Sequence, residues 1–364
     1  YGSTGNIMFQ IADCAKANGH EVRTFSKKWK KQNKKRDFHN YYGTTLENGL
    51  NVLLTRLVGF QGMFSYFGTK QLVKELEEFQ PDLIHLHNLH DFSTCPHFTM
   101  AKCNRWKTEC HDCPQLSSKL HVDCSTYMWN KKKEWFTGIS NITIVTPSQW
   151  LKNIVEESYL GKYPIRVINN GIDLSVFKPT ESEMGRKLRS EGKYLVLGVA
   201  LGWGTRKGLD VLIELARRLP EEYQIVMVGT DDVIDKILPK RITSIHKTQN
   251  QQELAELYTA ADVFINPTRE DNFPTTNMES LASGTPVITY KTGGSPEILD
   301  SSSGSIVDCD DVDSLEREII RICKNKPYSE EACIRRARMF DKNDRFQEYV
   351  DLFEALCENR GNTI

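Results

Sequence analysis

The stretch NPTREDNFPTTNMESLASGTPVI, residues 266–288, decides how the chain is read. It begins at the end of a short apolar run, Asp262–Asn266 (DVFIN), that has strand character. Pro267–Pro274 is a polar loop carrying Arg269, Glu270, Asp271 and Asn272. Thr275–Ser283 has helix composition, and Gly284 stops it. Thr285–Tyr290 (TPVITY) is the next strand. Strand, polar loop, helix start and strand make one unit of a parallel sheet, and such sheets bind ligands at the carboxyl ends of their strands. A helix N-terminus offers unpaired N–H groups and partial positive charge, which suit a phosphate. Asp271 and Glu279 are eight residues apart, so one lies in the loop and the other about one turn into the helix. Two such carboxylates suit sugar hydroxyls on either side of a bound phosphate. Taken singly, Asp271 is equally a loop or cap residue and Glu279 a solvated helix residue.

Upstream, strands and helices alternate. Tyr194–Ala200 is a strand, Gly208–Leu219 an amphipathic helix, Gln224–Val228 a strand, Val233–Leu238 a helix, Ile242–Ile245 a strand and Gln251–Ala260 a helix. That order predicts a parallel, doubly wound sheet. The loop Leu201–Lys207 (LGWGTRK) places Arg206 and Lys207 just before a helix, where two cations neutralise a diphosphate. A pair of exposed loop cations is the plain alternative. Lys247-Thr248-Gln249-Asn250 follows another strand, and Gly293-Gly294 with Glu297 forms a further loop that either floors a site or makes a tight turn. The tail carries helices near Val312–Cys323, Glu330–Met339 and Asn343–Cys357.

The first half is less regular. Tyr1-Gly2-Ser3-Thr4-Gly5-Asn6 is a glycine-containing loop that opens into a helix, Ile7–Asn18, with Gly2 and Gly5 as candidate ligand-facing glycines or a plain turn. Glu21–Phe25 reads as a strand. Lys27, Lys28, Lys30, Lys31, Lys34, Lys35 and Arg36 form a basic run, either a solvated loop or a contact for an anionic membrane surface. Leu50–Phe67 is apolar but interrupted by Gly59 and Gly62, which favours packing on a core over an interfacial position. Lys70–Phe79 is an amphipathic helix and Asp82–His87 (DLIHLH) a buried strand. Cys95, Cys103, Cys110 and Cys113 end in a CxxC pair and form a candidate structural zinc site, with buried free thiols or one disulfide as alternatives. Asn141–Val145 and Ile165–Ile168 are strands around the helix Gln149–Glu157. Asn170-Gly171 and Pro179 mark a linker near Lys178.

At 364 residues the chain suits two domains, and its net charge of −1 argues against a dedicated nucleic-acid binder. No run of about twenty apolar residues predicts a membrane-spanning helix, and no secretory leader pattern is visible. Ten unevenly spread cysteines fit a reducing, cytosolic setting better than a secreted disulfide scaffold.

The stretch from Asp271 to Ile288 resembles the donor-site signature of the retaining glycosyltransferases of family 4. Its DNFPTTNxE and LASGTPVI segments are similar to a bacterial polysaccharide-assembly subgroup. The resemblance implies the GT-B fold: two doubly wound Rossmann-like α/β domains facing across a cleft. Here these would be residues 1–178 for the acceptor and 179–342 for the donor, with a last helix of about 343–364 crossing back onto the first. It implies a sugar contact at Asp271, a ribose contact at Glu279, and a pyrophosphate grip at Lys207, with Arg206 standing away from the family's usual arginine position. Glu270, Asn272, Thr275, Thr276, Asn277, Gly294, Thr248 and Asn250 would line the donor, with Gly2 and Gly5 in the opening loop. The resemblance also implies a strand ahead of that loop, where the sequence begins. A histidine near the reacting sugar falls on His90 in Leu89-His90-Asp91, with His87 second. Features that are separate in the family run together here as HLHNLHDFSTCPHF.

The expected activity is transfer of a sugar from a nucleoside diphosphate sugar to a saccharide or lipid-linked saccharide hydroxyl, in cell-surface polysaccharide biosynthesis. Protein cations would replace a catalytic metal. The setting would be cytoplasmic, with peripheral contact at the inner face of the membrane. A sugar-nucleotide epimerase of the same fold, a non-catalytic sugar-nucleotide binding protein, and a nicotinamide dehydrogenase prompted by Gly2–Gly5 are the rival readings. The last lacks a GxGxxG after a strand.

Overall fold

A computed structural model describes residues 3–27, 36–58, 65–87, 103–114, 123–189 and 192–361. The chain divides into two compact units. One comprises Tyr1–Ile144, Ile154–Ile165 and Phe346–Ile364, and the other Val145–Asn153 and Arg166–Arg345.

In the first unit α1 (Ser3–Ala17) packs through Phe9, Ile11, Ala12 and Ala15. Strands β1 (Thr24–Lys27) and β2 (His39–Tyr42) pair in parallel. His39 is fully buried between them because its ring nitrogens meet the Thr24 and Ser26 hydroxyls at 2.8 and 3.0 Å. Helices α2 (Thr45–Val58), α3 (Tyr66–Phe79) and α4 (Ser125–Thr137) follow. β3 (Ile144–Thr146) and β4 (Ile165–Val167) form a two-stranded sheet with α5 (Gln149–Glu156) between them in sequence; the division falls within these elements, and Val145–Asn153 and Arg166–Val167 count with the second unit.

The second unit is built on a six-stranded parallel sheet. Its strands are β5 (Tyr194–Val199), β6 (Tyr223–Val228), β7 (Ile242–Ile245), β8 (Val263–Asn266), β9 (Val287–Tyr290) and β10 (Gly304–Val307), in the spatial order β10-β9-β8-β5-β6-β7. Its helices are α6 (Glu183–Arg189), α7 (Leu209–Arg218), α8 (Asp232–Asp235), α9 (Gln251–Ala260), α10 (Thr275–Ala282), α11 (Val312–Asn325) and α12 (Glu330–Ala337). Successive strand residues feed opposite faces. Leu195, Leu197, Val226 and Phe264 pack with Leu257 and Tyr258 of α9 and Met278 and Leu281 of α10. Val196, Ile225, Met227, Ile265 and Ile288 pack with Leu212 and Leu215 of α7 and Leu315 and Ile319 of α11. Coverage on both faces explains why these strands are near-continuous apolar runs rather than alternating ones. The chain leaves β5 towards β6 and β7, then returns to the other flank of β5 as β8. Connections therefore run in opposite directions at the β5–β8 pair, and a crevice opens there at the carboxyl ends.

The last helix, α13 (Lys342–Gly361), ties to the start of the chain. The Asn18 amide donates to Gln347 at 3.0 Å, and His20 meets Glu354 at 3.1 Å.

Several sequence expectations shift. Ser3–Gly5 belongs to α1, so Gly5 lies in a helical first turn instead of a loop, and Gly2 falls outside the described residues. The strand expected over Glu21–Phe25 begins only at Thr24. Asp82–His87 has no ladder partner among the described residues. Ile84, His85 and Leu86 are all exposed there, and the His85 ring stacks on Tyr349 at 5.6 Å. Leu50 and Leu53 of α2 and Phe67 of α3 are also exposed, against the expectation that this apolar stretch packs on a core. The polar Asn48 is the α2 residue buried instead. Residues 59–64 and the basic residues 28–35 lie outside the described set.

Leu212, fully buried under the sheet, and Leu201, 92% exposed, give a matched test of this packing. Leu212→Ala is expected to cost about 2–5 kcal/mol in chemical denaturation. Leu201→Ala should stay within about 0.5 kcal/mol.

Candidate functional site

The loops after β5 and β8 meet at the point where the sheet connections reverse. The first ends in a short 3₁₀ turn, Thr205–Lys207, closed by Gly208 at φ +77°. A side chain at Gly208 would place its Cβ 2.4 Å from the Pro267 carbonyl oxygen, so only glycine permits this approach. Lys207 then reaches across: its Nζ donates to Asp271 Oδ2 at 2.6 Å. The side chains are 21% and 22% exposed, which limits screening and leaves the pair accessible to a solute. The Arg206 carbonyl accepts from the Arg269 backbone N–H at 2.9 Å and from the Thr268 hydroxyl at 3.3 Å, joining the two loops through main chain as well.

Below Asp271 the loop after β9 closes in. Gly294 N–H donates to the Asp271 carbonyl at 3.2 Å. Gly293, at φ +55°, lies so near the same carbonyl that a Cβ would fall 1.8 Å from its oxygen. The Thr292 hydroxyl donates to Thr268 O at 2.7 Å. Asp271 is thus held by three loops and aimed at Lys207. Asn272 is exposed beside it, and Glu270 is buried.

Helix α10 starts at Thr275 behind Pro274, whose side chain supplies no cap. Thr275, Thr276 and Glu279 are half-buried around this end. Glu279 Oε2 accepts from the buried Tyr258 hydroxyl at 3.2 Å. Burial pushes the Glu279 carboxyl up to about 7, against the opposing hydrogen bonds from Thr275 and Tyr258. A carboxylate has about four acceptor sites, so the ionised Glu279 can accept further hydroxyl hydrogen bonds beside those two.

Other sequence candidates separate from this group. Asn277 is fully buried: its carbonyl oxygen accepts from Asn266 at 2.7 Å and its amide donates to Ser295 at 2.9 Å. That places it as scaffold beneath the helix start, not on the site surface. Asn250 caps α9 by accepting from Glu253 N–H at 2.9 Å, and Thr248 is half-buried at the carboxyl end of β7. His90 and Cys95 lie outside the described residues. His87 is described, with its ring 5.5 Å from that of His85. Among the described residues no group of three or more His, Cys, Asp or Glu side chains is placed to hold a metal ion, so Cys103, Cys110 and Cys113 do not converge as the zinc expectation required. The CxxC turn is organised by hydrogen bonds instead. Arg105 donates to the His111 and Asp112 carbonyls, and Asp123 accepts from Cys113 N–H at 2.9 Å.

Sequence reasoning assigned no role to Tyr258, Arg269, Asp210 or Thr292. Tyr258 looks like one more apolar residue of an amphipathic helix. Arg269 was visible in the signature but has no spacing that reveals its partners.

Two family models match the chain: "Glycosyltransferase Family 4" over residues 4–176 and "Glycosyl transferases group 1" over residues 181–340. Among curated relatives, the putative colanic acid biosynthesis glycosyl transferase WcaC of Escherichia coli K12 is 23% identical over 85% of this chain and 80% of its own. The sulfoquinovosyl transferase SQD2 of Arabidopsis thaliana is 24% identical over 63% of this chain, which spans 46% of that relative's length. Among solved structures, sucrose-phosphate synthase of Thermosynechococcus elongatus superposes with a TM-score of 0.71 at 17% identity, over 98% of this chain and 94% of its own. HepE of Anabaena, solved with UDP-glucose, gives 0.52 at 17% identity over 62% of this chain and 68% of its own.

The raised Glu279 carboxyl makes a prediction for the free protein. Protons are bound more tightly folded than unfolded, so its stabilising contribution is complete below about pH 4.5 and is lost as pH rises through about 7. Glu279→Gln should remove that decline in a thermal-melt series from pH 5 to 8. An unchanged slope contradicts the assignment.

Proposed function

Since the chain belongs to the family 4 glycosyltransferases, with the GT-B fold, we propose that it transfers a sugar from a nucleoside diphosphate sugar to a saccharide or lipid-linked saccharide hydroxyl, with retention at the anomeric carbon. The observation that carries this reading is the Lys207–Asp271 pair at the reversal point of the sheet, beside the N-terminus of α10. In the free protein each ion neutralises the other. A donor diphosphate takes over Lys207 and the first N–H groups of α10, and releases Asp271 towards the sugar. Glu279, held by Tyr258, accepts from ribose hydroxyls.

The bond from the anomeric carbon to the phosphate oxygen breaks first, and the electron pair leaves with the diphosphate. Lys207 and the helix end stabilise that charge, with Arg206 on the same turn adding positive potential. The acceptor hydroxyl then forms its bond to the anomeric carbon from the same face. Its proton passes to the departing phosphate oxygen. Lys207→Ala is expected to lower turnover by about 10²–10³-fold. Binding of a panel of UDP-, GDP- and ADP-sugars, read by thermal shift with product analysis, tests the reading and names the base. No stabilisation of the wild type by any of them contradicts it. Release of a free sugar epimer without acceptor product favours the epimerase reading instead. Ribose contacts to ionised Glu279 also make donor affinity rise as pH passes through about 7, a rise that Glu279→Gln should abolish.

A role in cell-surface polysaccharide assembly is supported by the likeness to WcaC. Work on a lipid-linked acceptor at the cytoplasmic membrane face is supported by the basic sequence from Lys27 to Arg36 and by the exposed Leu46, Leu50 and Leu53 of α2. Among the described residues no helix is long and apolar enough to cross a membrane. Co-sedimentation with anionic phospholipid vesicles, weakening with salt, is the expected result. Absence of co-sedimentation contradicts membrane contact.

A further inference from the structure

Arg269 is a heavily engaged cation of the second unit's crevice, yet its side-chain bonds to Asp210, Asp310 and Thr205 reach no group expected to touch substrate. It lies two residues before Asp271, and its side chain is 16% exposed. Nε donates to Asp310 at 2.7 Å, one terminal nitrogen to Asp210 at 2.7 Å, and the other to Asp210 at 2.8 Å and to the Thr205 carbonyl. The guanidinium is therefore bonded through all three nitrogens, once in the forked geometry that pairs arginine with a carboxylate, on Asp210. Its partners come from three places. Thr205 opens the turn that carries Arg206 and Lys207. Asp210 lies in the first turn of α7, directly after that turn. Asp310 follows β10 in the left-handed region at φ +67°, a conformation costly for a residue with a side chain unless its surroundings hold it.

We propose that Arg269 is a positioning residue of the diphosphate site, fastening the Thr205–Lys207 turn to the β8 loop so that Lys207 presents its ammonium at a fixed place. The proposal rests on the reading of Lys207 as the diphosphate ligand. Arg269 itself is withheld from ligand, because one cation faces two carboxylates and a carbonyl. The main-chain bond from Arg269 N–H to the Arg206 carbonyl runs in parallel with the side-chain clamp. Without the guanidinium, the three-residue turn loses its side-chain clamp to the β8 loop, and Lys207 gains freedom at the atom where charge must be met. Lysine at position 269 retains the charge but not the fork, so charge conservation alone should not rescue it.

The test compares UDP, GDP and ADP with uridine, guanosine and adenosine by calorimetry, on wild type, Lys207→Ala, Arg269→Lys and Asp210→Ala. Asp210 is 53% exposed, so its truncation removes the forked partner without opening a core. The expected result has three parts. Wild type binds one nucleoside diphosphate much more tightly than its nucleoside. Arg269→Lys and Asp210→Ala each lose about 10-fold or more of diphosphate affinity, and nucleoside affinity stays within about twofold. In turnover, a misplaced Lys207 should cost up to about 10²-fold in kcat. A general loss of structure would weaken nucleoside and nucleoside diphosphate alike, and that result overturns the proposal. So does a diphosphate preference that disappears in Lys207→Ala but survives in Arg269→Lys and Asp210→Ala, while the site reading stands. If wild type itself shows no diphosphate preference, the site reading fails and the positioning role falls with it.

Discussion

The adjacency of β5 and β8 is the constraint on which the site depends. Val196 pairs with Val263 and Leu197 with Phe264, and each of these four residues is fully buried. Because the chain visits β6 and β7 before returning to this seam, the connections onward from β5 and β8 run to opposite flanks of the sheet, while their first loops meet at its carboxyl end. A crevice there follows from topology alone. Its chemistry comes from what the two loops carry: a lysine on one and an aspartate on the other, 2.6 Å apart.

Around that pair, scaffold and site are distinguishable by saturation. Asn277, Asn266, Thr289 and Ser295 form a fully internal hydrogen-bonded group beneath α10, with Thr289 and Ser295 hydroxyls 2.6 Å apart. A buried polar network of this kind is stabilising only when each member is satisfied, and it fixes the helix start in one place. Glu297 does similar work at a second helix: its carboxylate accepts from the Gln149 and Trp150 N–H groups at 2.8 and 2.7 Å, which meets the partial positive charge of the α5 N-terminus. Lys207, Asp271 and Glu279 differ in that they are only partly buried, and Lys207 and Asp271 hold each other through one ion pair that a ligand can replace.

Much of the second unit was legible because its strands are buried on both faces. VFIN, VITY, YLVLGV and YQIVMV read as apolar runs flanked by glycine, proline or charge, and α9 was placed over the same residues, Gln251–Ala260; that Asn250 caps it emerged only from the structure. The omissions share a cause. β10 (GSIV) begins with glycine and exposes Ile306, so it lacks the run of buried residues that marks its neighbours. α6 is only seven residues long and its apolar stripe is the single i,i+4 pair Met184 and Leu188, too short a pattern to mark a helix. In the first unit the pattern inverts at Asn48, which is buried while Leu46, Leu50 and Leu53 face out, and Ile84 and Leu86 are exposed where a buried strand was expected, so hydrophobic periodicity misreads both stretches. Within the candidate site, the positions of Asp271, Glu279 and Lys207 near helix starts were legible from the sequence, while the roles given to them rest on the family resemblance. Tyr258 and Arg269 were not, since their roles lie in contacts 21 and 59 residues away along the chain.

The most direct measurement is a crystal structure with the nucleoside diphosphate that binds best. Phosphates lodged between the Thr205–Gly208 turn and the first N–H groups of α10, with Lys207 shifted from Asp271 to a phosphate oxygen, is the predicted result. A nucleotide bound elsewhere, or phosphates that leave the Lys207–Asp271 pair intact, would contradict the assignment of this crevice as the donor site.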